Sequence, residues 1–375
     1  RIEAPSAEPF FSGPEPFVKI PAGSIGPLFS WHNHSPSIAE MPNGDLLTTW
    51  FSCIDEGGSE LNNLASRLRL GAKEWEPASP FWDGMDINDH APKLWYDGKK
   101  TVFHFARGAT ENIFRTSTDS GATWSKAQPL MPVGEFGNGL LRLRDGTLLI
   151  PHDSRNVSIT RSRDGGKTWQ SVVQPKSQKG VKPGDTTFRP PGMHAPIVEL
   201  ADGRLMAFSR FDVPEDQARF GRKTPVSFSA DQGETWQVEA SEFPAISSAQ
   251  RQTMLRLQNG PIVFFSFTDQ TRDWKQRVGM KFKQADGTEF TGFGLFAAVS
   301  FDEGKTWPIR RLITPGGKPH PLPTIDRGVF QCSDTEAEHA GYLASTQTRD
   351  GRIHLISSKN HYVLNLGWLQ ALPRF

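Results

Sequence analysis

The segment Ser300-Phe-Asp-Glu-Gly-Lys-Thr-Trp307 carries a pattern, S-x-D-x-G-x-T-W, that decides the fold. The same pattern recurs at 117–124, 162–169 and 229–236. Its aspartate is expected to turn the chain by accepting hydrogen bonds from backbone N–H groups just ahead, and its glycine to take a positive φ. The tryptophan is expected to bury its rings beside the turn. Repeats at this period are typical of propellers and solenoids, in which each copy marks one structural unit.

A second repeat lies upstream of each motif. An apolar run enters a D-G or N-G turn and another apolar run follows, as in 140–150 and 197–207. Such a pattern predicts β-hairpins. We therefore expect an all-β fold in which residues 1–375 form one β-propeller domain of six four-stranded antiparallel blades. The blades are predicted to begin near Asn33, Asp89, Gly137, Met193, Gln250 and Gly341.

The two ends of the repeat array are atypical. The first unit has a degenerate motif at 70–75 and the last unit has none. We expect a strand at 16–21 to complete the last blade and close the ring, which would remove exposed sheet edges. The polar, Gly- and Pro-rich stretches 268–290 and 313–340 are predicted to be long loops, with a seventh blade as the alternative.

Composition excludes several classes of partner. The chain has 42 Lys and Arg against 41 Asp and Glu, so no strong field attracts nucleic acid or an anionic membrane. No apolar stretch approaches the length of a membrane span. A monomer is expected. The start at Arg1 rather than at Met suits a processed secreted or periplasmic protein.

Two cysteines, Cys53 and Cys332, are too few for a disulfide scaffold. They are expected to be free, partly buried thiols. A single bridge between the first and last blades is the alternative, because those blades are neighbours in a closed ring.

Polar side chains recur where the innermost strand of each unit begins. Inner strands of a propeller surround its central channel, so these side chains should meet at one mouth of it. Convergent titratable groups are a usual sign of an active site, and satisfied structural residues are the alternative. The set consists of His34, His90, Asn138, His194, Arg251 and Tyr342.

Arginines occupy a second equivalent position, sixteen or seventeen residues further along, at Arg107 and Arg210. A guanidinium suits a carboxylate, so Arg107, Arg210 and Arg251 are candidates for substrate binding, and a solvated surface charge is the alternative. Asn138 is a further candidate for substrate binding. Three histidines also form a zinc set, but their origin on separate blades disfavours a tight tetrahedral site. No metal or cofactor is predicted.

The repeated motif is similar to the Asp-box, or BNR repeat, of the sialidase-like β-propellers. In that family the boxes lie away from the substrate, three arginines hold a carboxylate, a Tyr–Glu pair supplies the nucleophile and an Asp is the acid/base. Tyr342 resembles that tyrosine, and Arg210 and Arg251 resemble the second and third arginines. His34 stands in place of the first arginine and His194 in place of the glutamate. Sialidase activity is therefore not expected.

The whole chain also resembles a narrower group: propellers, reported as seven-bladed, that act on rhamnosyl-α-1,4-glucuronate ends of arabinogalactan and gum arabic. The resemblance rests on the segment 34–47 and on the ending 341–347 with 360–362. It implies β-elimination from a uronate, for which His and Tyr supply bases and acids near neutral pH. His34 or His90 is the first choice for base and acid, and His194 and Tyr342 are alternates.

Two other functions remain open. Hydrolysis of the same bond, as an α-L-rhamnosidase or a diverged sialidase, would use the carboxylates Asp55, Glu56 and Glu60. Their alternative interpretation is a solvated acidic loop. A non-catalytic glycan-binding propeller would bind the same uronate-containing glycan without turnover.

Overall fold

A computed structural model describes residues 5–24, 26, 28–85, 87–108, 111–130, 135–153, 157–173, 191–210, 212 and 214–375. It is a six-bladed β-propeller of four-stranded antiparallel sheets, which confirms the predicted fold. The inner strands of neighbouring blades contact one another around the central axis.

The chain enters through β1 (Phe11–Pro16) and then forms three blades in succession. The first contains β2 (His32–Glu40), β3 (Leu46–Cys53), β4 (Asn62–Leu68) and β5 (Ser79–Trp82). The second contains β6 (Lys93–Tyr96), β7 (Val102–Ala106), β8 (Asn112–Ser117) and β9 (Gln128–Leu130). The third contains β10 (Leu141–Arg142), β11 (Leu148–Pro151), β12 (Val157–Ser162) and β13 (Gln170–Val173).

The later blades carry insertions. The fourth contains β14 (Ile197–Glu199), β15 (Leu205–Phe208), α1 (Pro214–Arg219), β16 (Lys223–Ser229) and β17 (Gln237–Pro244). After β18 (Gln250–Arg251), the fifth contains β19 (Thr253–Arg256), β20 (Ile262–Phe267), a 3-10 helix (Thr271–Gln276), the hairpin β21 (Met280–Lys283) and β22 (Glu289–Gly292), β23 (Leu295–Ser300) and β24 (Ile309–Leu312). A second hairpin, β25 (His320–Pro323) and β26 (Val329–Cys332), precedes β27 (Gly341–Tyr342). The sixth blade contains β28 (Ala344–Gln347), β29 (Ile353–Ile356) and β30 (Asn360–Leu364), and α2 (Leu366–Gln370) follows.

The two long Gly- and Pro-rich stretches contain hairpins and no seventh blade. The hairpin β21–β22 lies between β20 and β23, which pair directly with each other. The first stretch is therefore an insertion within the fifth blade. The second stretch forms the two-stranded sheet β25–β26 between the fifth and sixth blades.

The ring is closed by β1, which pairs antiparallel with β30 from Phe11↔Leu364 to Pro16↔Asn360. Our prediction placed this strand at 16–21, five residues too late. Phe17 is fully buried, with its ring centroid 5.4 Å from that of Trp50 and 5.9 Å from that of Trp75. The apolar residues after Pro16 therefore fill the space between the last and first blades instead of pairing with a strand.

The motif copies form the turns between the third and fourth strands of four blades. In the copy at 229–236, Asp231 accepts hydrogen bonds from the Thr235 amide at 2.9 Å and the Thr235 hydroxyl at 2.6 Å. Gly233 has a φ of 89°, and Trp236 donates Nε1–H to the Gly233 carbonyl at 3.1 Å. The predicted roles of aspartate, glycine and tryptophan are all present.

The two ends of the ring differ. We call the end where the inner strands begin the upper face, and the end that holds the motif turns the lower face. Towards the lower face the axis opens into a cavity of about 710 Å³ lined by the inner strands, with Lys93 and Arg251 among its walls. Rim arginines there join neighbouring blades, as where Arg349 donates to Glu40 at 2.9 Å.

Cys53 and Cys332 are free thiols, as expected, and both are more deeply buried than predicted; the alternative bridge is absent. Across the described ranges, no helix is long and apolar enough to cross a membrane.

Candidate functional site

Tyr342 is the point at which the polar side chains of the upper face meet. Its hydroxyl lies 3.0 Å from His194 Nε2 and accepts a hydrogen bond from Arg210 Nη1 at 3.0 Å. The His34 ring packs against the phenol, with ring centroids 3.7 Å apart. Residues from the first, fourth and sixth blades thus surround one phenol, only 9% of which is exposed.

Asp153 holds His194 from the side opposite Tyr342. One carboxylate oxygen accepts a hydrogen bond from the His194 amide at 2.7 Å, and the other lies in close contact with His194 Nδ1. A proton on Nδ1 leaves the lone pair of Nε2 directed at the Tyr342 hydroxyl. Burial lowers the pKa of His194 against the opposing effect of Asp153, so the ring is neutral near neutral pH. Burial alone would raise the pKa of Asp153, but His194 keeps it below its usual value.

Left-handed backbone marks the starts of several inner strands. Ser35, Ala91, His194 and Ala249 have φ values of 52°, 55°, 54° and 66°. Non-glycine residues seldom adopt this conformation, and such strain often clusters at functional sites. At His194 the bond from its amide to Asp153 stabilises the conformation and fixes the ring beside Tyr342.

Arg210 is the cation closest to the Tyr342 hydroxyl. Besides Tyr342 it donates to the Gln250 carbonyl at 2.7 Å and to Asp212 at 3.0 Å. Burial would lower the pKa of Arg210, but Tyr342 and Asp212 raise it, so the guanidinium stays charged. Its Nε–H has no acceptor among the described residues. The side chain can therefore stabilise a phenolate and still offer a donor to a ligand.

Arg251 lies beside Tyr342 because β18 and β27 pair in parallel. Its guanidinium carbon is 5.1 Å from the phenol centroid. It donates to Leu343 O at 3.1 Å, to Ser35 Oγ at 3.0 Å and to Pro36 O at 2.5 Å. Burial lowers the pKa of Arg251 to about 10, so it remains protonated at neutral pH. Through these hydrogen bonds the Arg251 side chain connects the fifth, sixth and first blades.

His34 and His90 each have one ring nitrogen held by the protein. His34 Nδ1 lies 2.5 Å from Ser358 Oγ, and His90 Nδ1 lies 3.1 Å from a carboxylate oxygen of Glu135. Phe51 lies between them, with its centroid 5.8 Å from His34 and 4.6 Å from His90. Burial lowers the pKa of both histidines, although Glu135 opposes this at His90. Within the described part of the chain, no group of side chains could hold a metal ion.

Asn138 and Arg107 occupy less central positions. Asn138 donates to the carbonyls of His194 and Gln252, both at 3.1 Å, and so ties three blades together. Arg107 follows β7 and is half-buried. It has no hydrogen bond or ion pair with another described residue, and no contact places it at Tyr342.

The sequence interpretation missed Asp153 and Glu135. Asp153 lies sixteen residues after Gly137, the position that holds Arg107 and Arg210 in other blades. The same register in the last blade leads from Tyr342 to Ser358, the partner of His34. Reading every blade at this position would have found both partners. No comparable repeat identifies Glu135.

An acidic cluster borders the histidines on the upper face. His32 Nε2 lies 2.9 Å from Glu56, and His32 Nδ1 lies 2.6 Å from Asp326. Burial alone would lower the pKa of His32, but these two carboxylates raise it to about 9. The bond from His32, with smaller effects of His90 and His194, lowers the pKa of Glu56.

The other carboxylates of this loop stabilise its turn. Asp55 accepts the Gly57 amide at 2.7 Å, and Glu60 accepts the amides of Ile54 and Asp55 at 3.3 and 3.2 Å. Of the three predicted for a hydrolase, Glu56 is therefore the one associated with the histidines.

The blade architecture and the repeated turn motif define an Asp-box β-propeller. The chain belongs to the BNR repeat-like domain family, which matches residues 44–355. A search of curated protein sequences gave no significant match.

Solved structures with the same fold span nearly the whole chain. A protein of unknown function from Dyadobacter fermentans aligns with a TM-score of 0.60 at 15% identity, covering 94% of this chain and 98% of that one. The NanB sialidase of Streptococcus pneumoniae aligns with a TM-score of 0.61 at 13% identity, covering 95% and 71%. The intramolecular trans-sialidase of Ruminococcus gnavus aligns with a TM-score of 0.58 at 13% identity, covering 92% and 97%. At such identities the likeness concerns the fold alone.

Proposed function

We propose that this protein is a carbohydrate-active enzyme that breaks the bond between a uronate and the sugar on its O4 by β-elimination. The observation that carries the proposal is the series of contacts Asp153–His194–Tyr342, in which Arg210 donates to the same Tyr342 hydroxyl. The sialidases among the structural neighbours support a glycan as the ligand.

His194 is the neutral base of this series, and Arg210 opposes the burial that raises the pKa of Tyr342. His194 takes the proton of the Tyr342 hydroxyl, and Arg210 stabilises the phenolate. The phenolate then removes the proton from C5 of the uronate. The C4–C5 double bond forms as the C4–O bond breaks, and its electron pair leaves on the oxygen. In a syn elimination Tyr342 passes the same proton to that oxygen, so the step balances without another reactant.

The C5 proton is acidic only while the charge of the neighbouring carboxylate is offset. Arg210 can do this through its unpaired Nε–H, since its other nitrogen atoms donate to protein acceptors and to Tyr342. Arg251 is then a positioning residue that holds the phenol, because its donors are occupied by neighbouring blades. The His34 ring packs against the Tyr342 ring. We therefore assign the role of the base to Tyr342 and not to His34 or His90.

The test compares Tyr342→Phe with Tyr96→Phe, a matched loss of one phenol hydroxyl on the lower face. Each protein is incubated with gum arabic or a rhamnosyl-glucuronate disaccharide, and ultraviolet absorbance and free rhamnose are recorded together. We expect the wild type to release rhamnose with a rising enoate absorbance. Tyr342→Phe should lose about two to four orders of magnitude in rate, and Tyr96→Phe should keep the wild-type rate. Unchanged turnover by Tyr342→Phe would contradict the proposal.

Hydrolysis is the second candidate, favoured by Glu56 at the edge of the site. Its side chain is 51% exposed and is held by His32 beside the buried histidines. A carboxylate there, ionised because His32 lowers its pKa, can take a proton from the water that attacks the sugar, while the Tyr342 hydroxyl protonates the leaving oxygen. Release of rhamnose without enoate absorbance, abolished in Glu56→Gln, would establish this reaction in place of elimination.

A further inference from the structure

A continuous row of aromatic rings leads from the upper surface to the candidate base. The centroids of Trp31 and His32 are 5.6 Å apart, those of His32 and His34 are 5.4 Å apart, and those of His34 and Tyr342 are 3.7 Å apart. Exposure falls along the row, from 49% for Trp31 to 3% for His34. The row therefore joins an open surface to the buried site.

Trp31 presents a large apolar face to solvent directly beside this site. It lies immediately before β2, and among the described residues its only ring contact is with His32. The indole therefore contributes little to the core, and half of it is free to contact a ligand. Flat aromatic faces stack well on the C–H faces of sugar rings, because both surfaces are apolar and rigid.

The two carboxylates bound to His32, the residue after Trp31, determine which kind of sugar can bind here. Glu56 and Asp326 lie on the two sides of His32, which is next to Trp31 in the chain. Carboxylates accept hydrogen bonds from sugar hydroxyl groups, but they repel another carboxylate. A neutral sugar therefore fits this position, whereas a uronate fits beside Arg210.

We propose that Trp31, Glu56 and Asp326 form a subsite for a neutral sugar of the glycan chain. The inference rests on the proposed function and extends it. Because two imidazole rings lie between Trp31 and Tyr342 in the row, the sugar on Trp31 is a neighbour of the uronate whose bond is broken. The substrate is then an oligosaccharide or polysaccharide in which neutral sugars adjoin the uronate.

The test is affinity electrophoresis through gels containing gum arabic, in which neutral sugars adjoin uronates, or polygalacturonate, in which every sugar carries a carboxylate. Trp31→Ala is compared with Phe301→Ala, since Phe301 is an aromatic residue of similar exposure, 50%, on the lower face. We expect gum arabic to retard the wild type, Phe301→Ala and Trp31→Phe. Trp31→Ala should bind gum arabic about tenfold more weakly than the wild type, and polygalacturonate should not distinguish the two proteins.

The outcomes separate this subsite from the reaction. Retardation that depends on Trp31, without any sugar release, would support the subsite and contradict the elimination. Turnover that depends on Tyr342, with equal retardation of Trp31→Ala and the wild type, would overturn the subsite and leave the reaction intact. Failure of gum arabic to retard the wild type, or Trp31-dependent retardation by polygalacturonate, would also overturn it.

Discussion

Asp153 determines what His194 can do, because one carboxylate oxygen accepts the His194 amide and the other lies against the ring Nδ1. One carboxylate thus stabilises an uncommon backbone conformation and selects the tautomer whose Nε2 faces Tyr342. Without it, the imidazole could rotate or present N–H to the phenol, and neither arrangement removes a proton.

Asp153→Asn should therefore lower kcat by about two to four orders of magnitude, since an amide no longer selects the tautomer. Asp97→Asn is the control, because Asp97 caps a lower-face turn through three amides. Circular dichroism should show both variants folded. Equal rates in the two variants would contradict the role of Asp153.

The pH dependence of kcat follows from the neutral form of His194. Burial lowers its pKa, so the acid limb of the profile should lie below the usual histidine value of about 6.5. Activity should be full above that limb and fall as the pH drops through the lowered pKa. Asp153 opposes this lowering of the His194 pKa. The residual activity of the Asp153→Asn variant should therefore show its acid limb at a still lower pH.

At the scale of elements, each motif turn contacts the blade before it through its glycine. A Cβ on Gly233 would lie 2.3 Å from Ile159 of the third blade, and one on Gly304 would lie 2.6 Å from Met206 of the fourth. The turn therefore needs glycine for space as well as for its positive φ. The motif repeats because each blade must contact its predecessor in the same way.

Gly233→Ala should destabilise the protein by about 2–4 kcal/mol, combining left-handed strain with overpacking against Ile159. Gly203→Ala separates the two effects, because Gly203 has φ +88° and open space around it. It should lose only the conformational part, about 1–2 kcal/mol. Urea denaturation of both variants provides the measurement, and equal losses would contradict the packing contact.

Elements whose cause is local could be predicted from the sequence. The D-G turns and motif turns fix the blades, because their hydrogen bonds lie within a few residues, as between Asp231 and Thr235. The sequence pattern placed the closing strand too late, because Phe17 and its neighbours are as apolar as a strand. In the structure they instead pack between the last and first blades. Glu135 was missed because its partner, His90, lies on another blade and only the assembled ring brings them together.

At the scale of the whole molecule, His32 joins two loops across the closure of the ring. Glu56 belongs to the loop after β3 in the first blade, and Asp326 lies at the tip of the β25–β26 hairpin before the sixth. The bridge is strongest while His32 is protonated and both carboxylates are ionised. It therefore stabilises the arrangement of the upper face in a pH-dependent way.

Because the folded pKa of His32 is raised to about 9, its stabilising effect is complete below the unfolded value of about 6.5 and is lost as the pH rises through 9. His32→Gln should be less stable than the wild type by about 1–2 kcal/mol near pH 6. The melting temperatures of the two proteins should converge near pH 10. A difference that widened with rising pH would contradict the bridge.

The pairing of β1 with β30 also affects how the protein is made. Phe11 is synthesised before any of the six blades, and its partner Leu364 is synthesised after the first five. During translation β1 stays unpaired while the first five blades form. Its exposed strand edge is of the kind that promotes misassembly. A chain interrupted before β30 cannot close the ring. The pairing of these two strands therefore makes closure of the propeller depend on synthesis of its sixth blade.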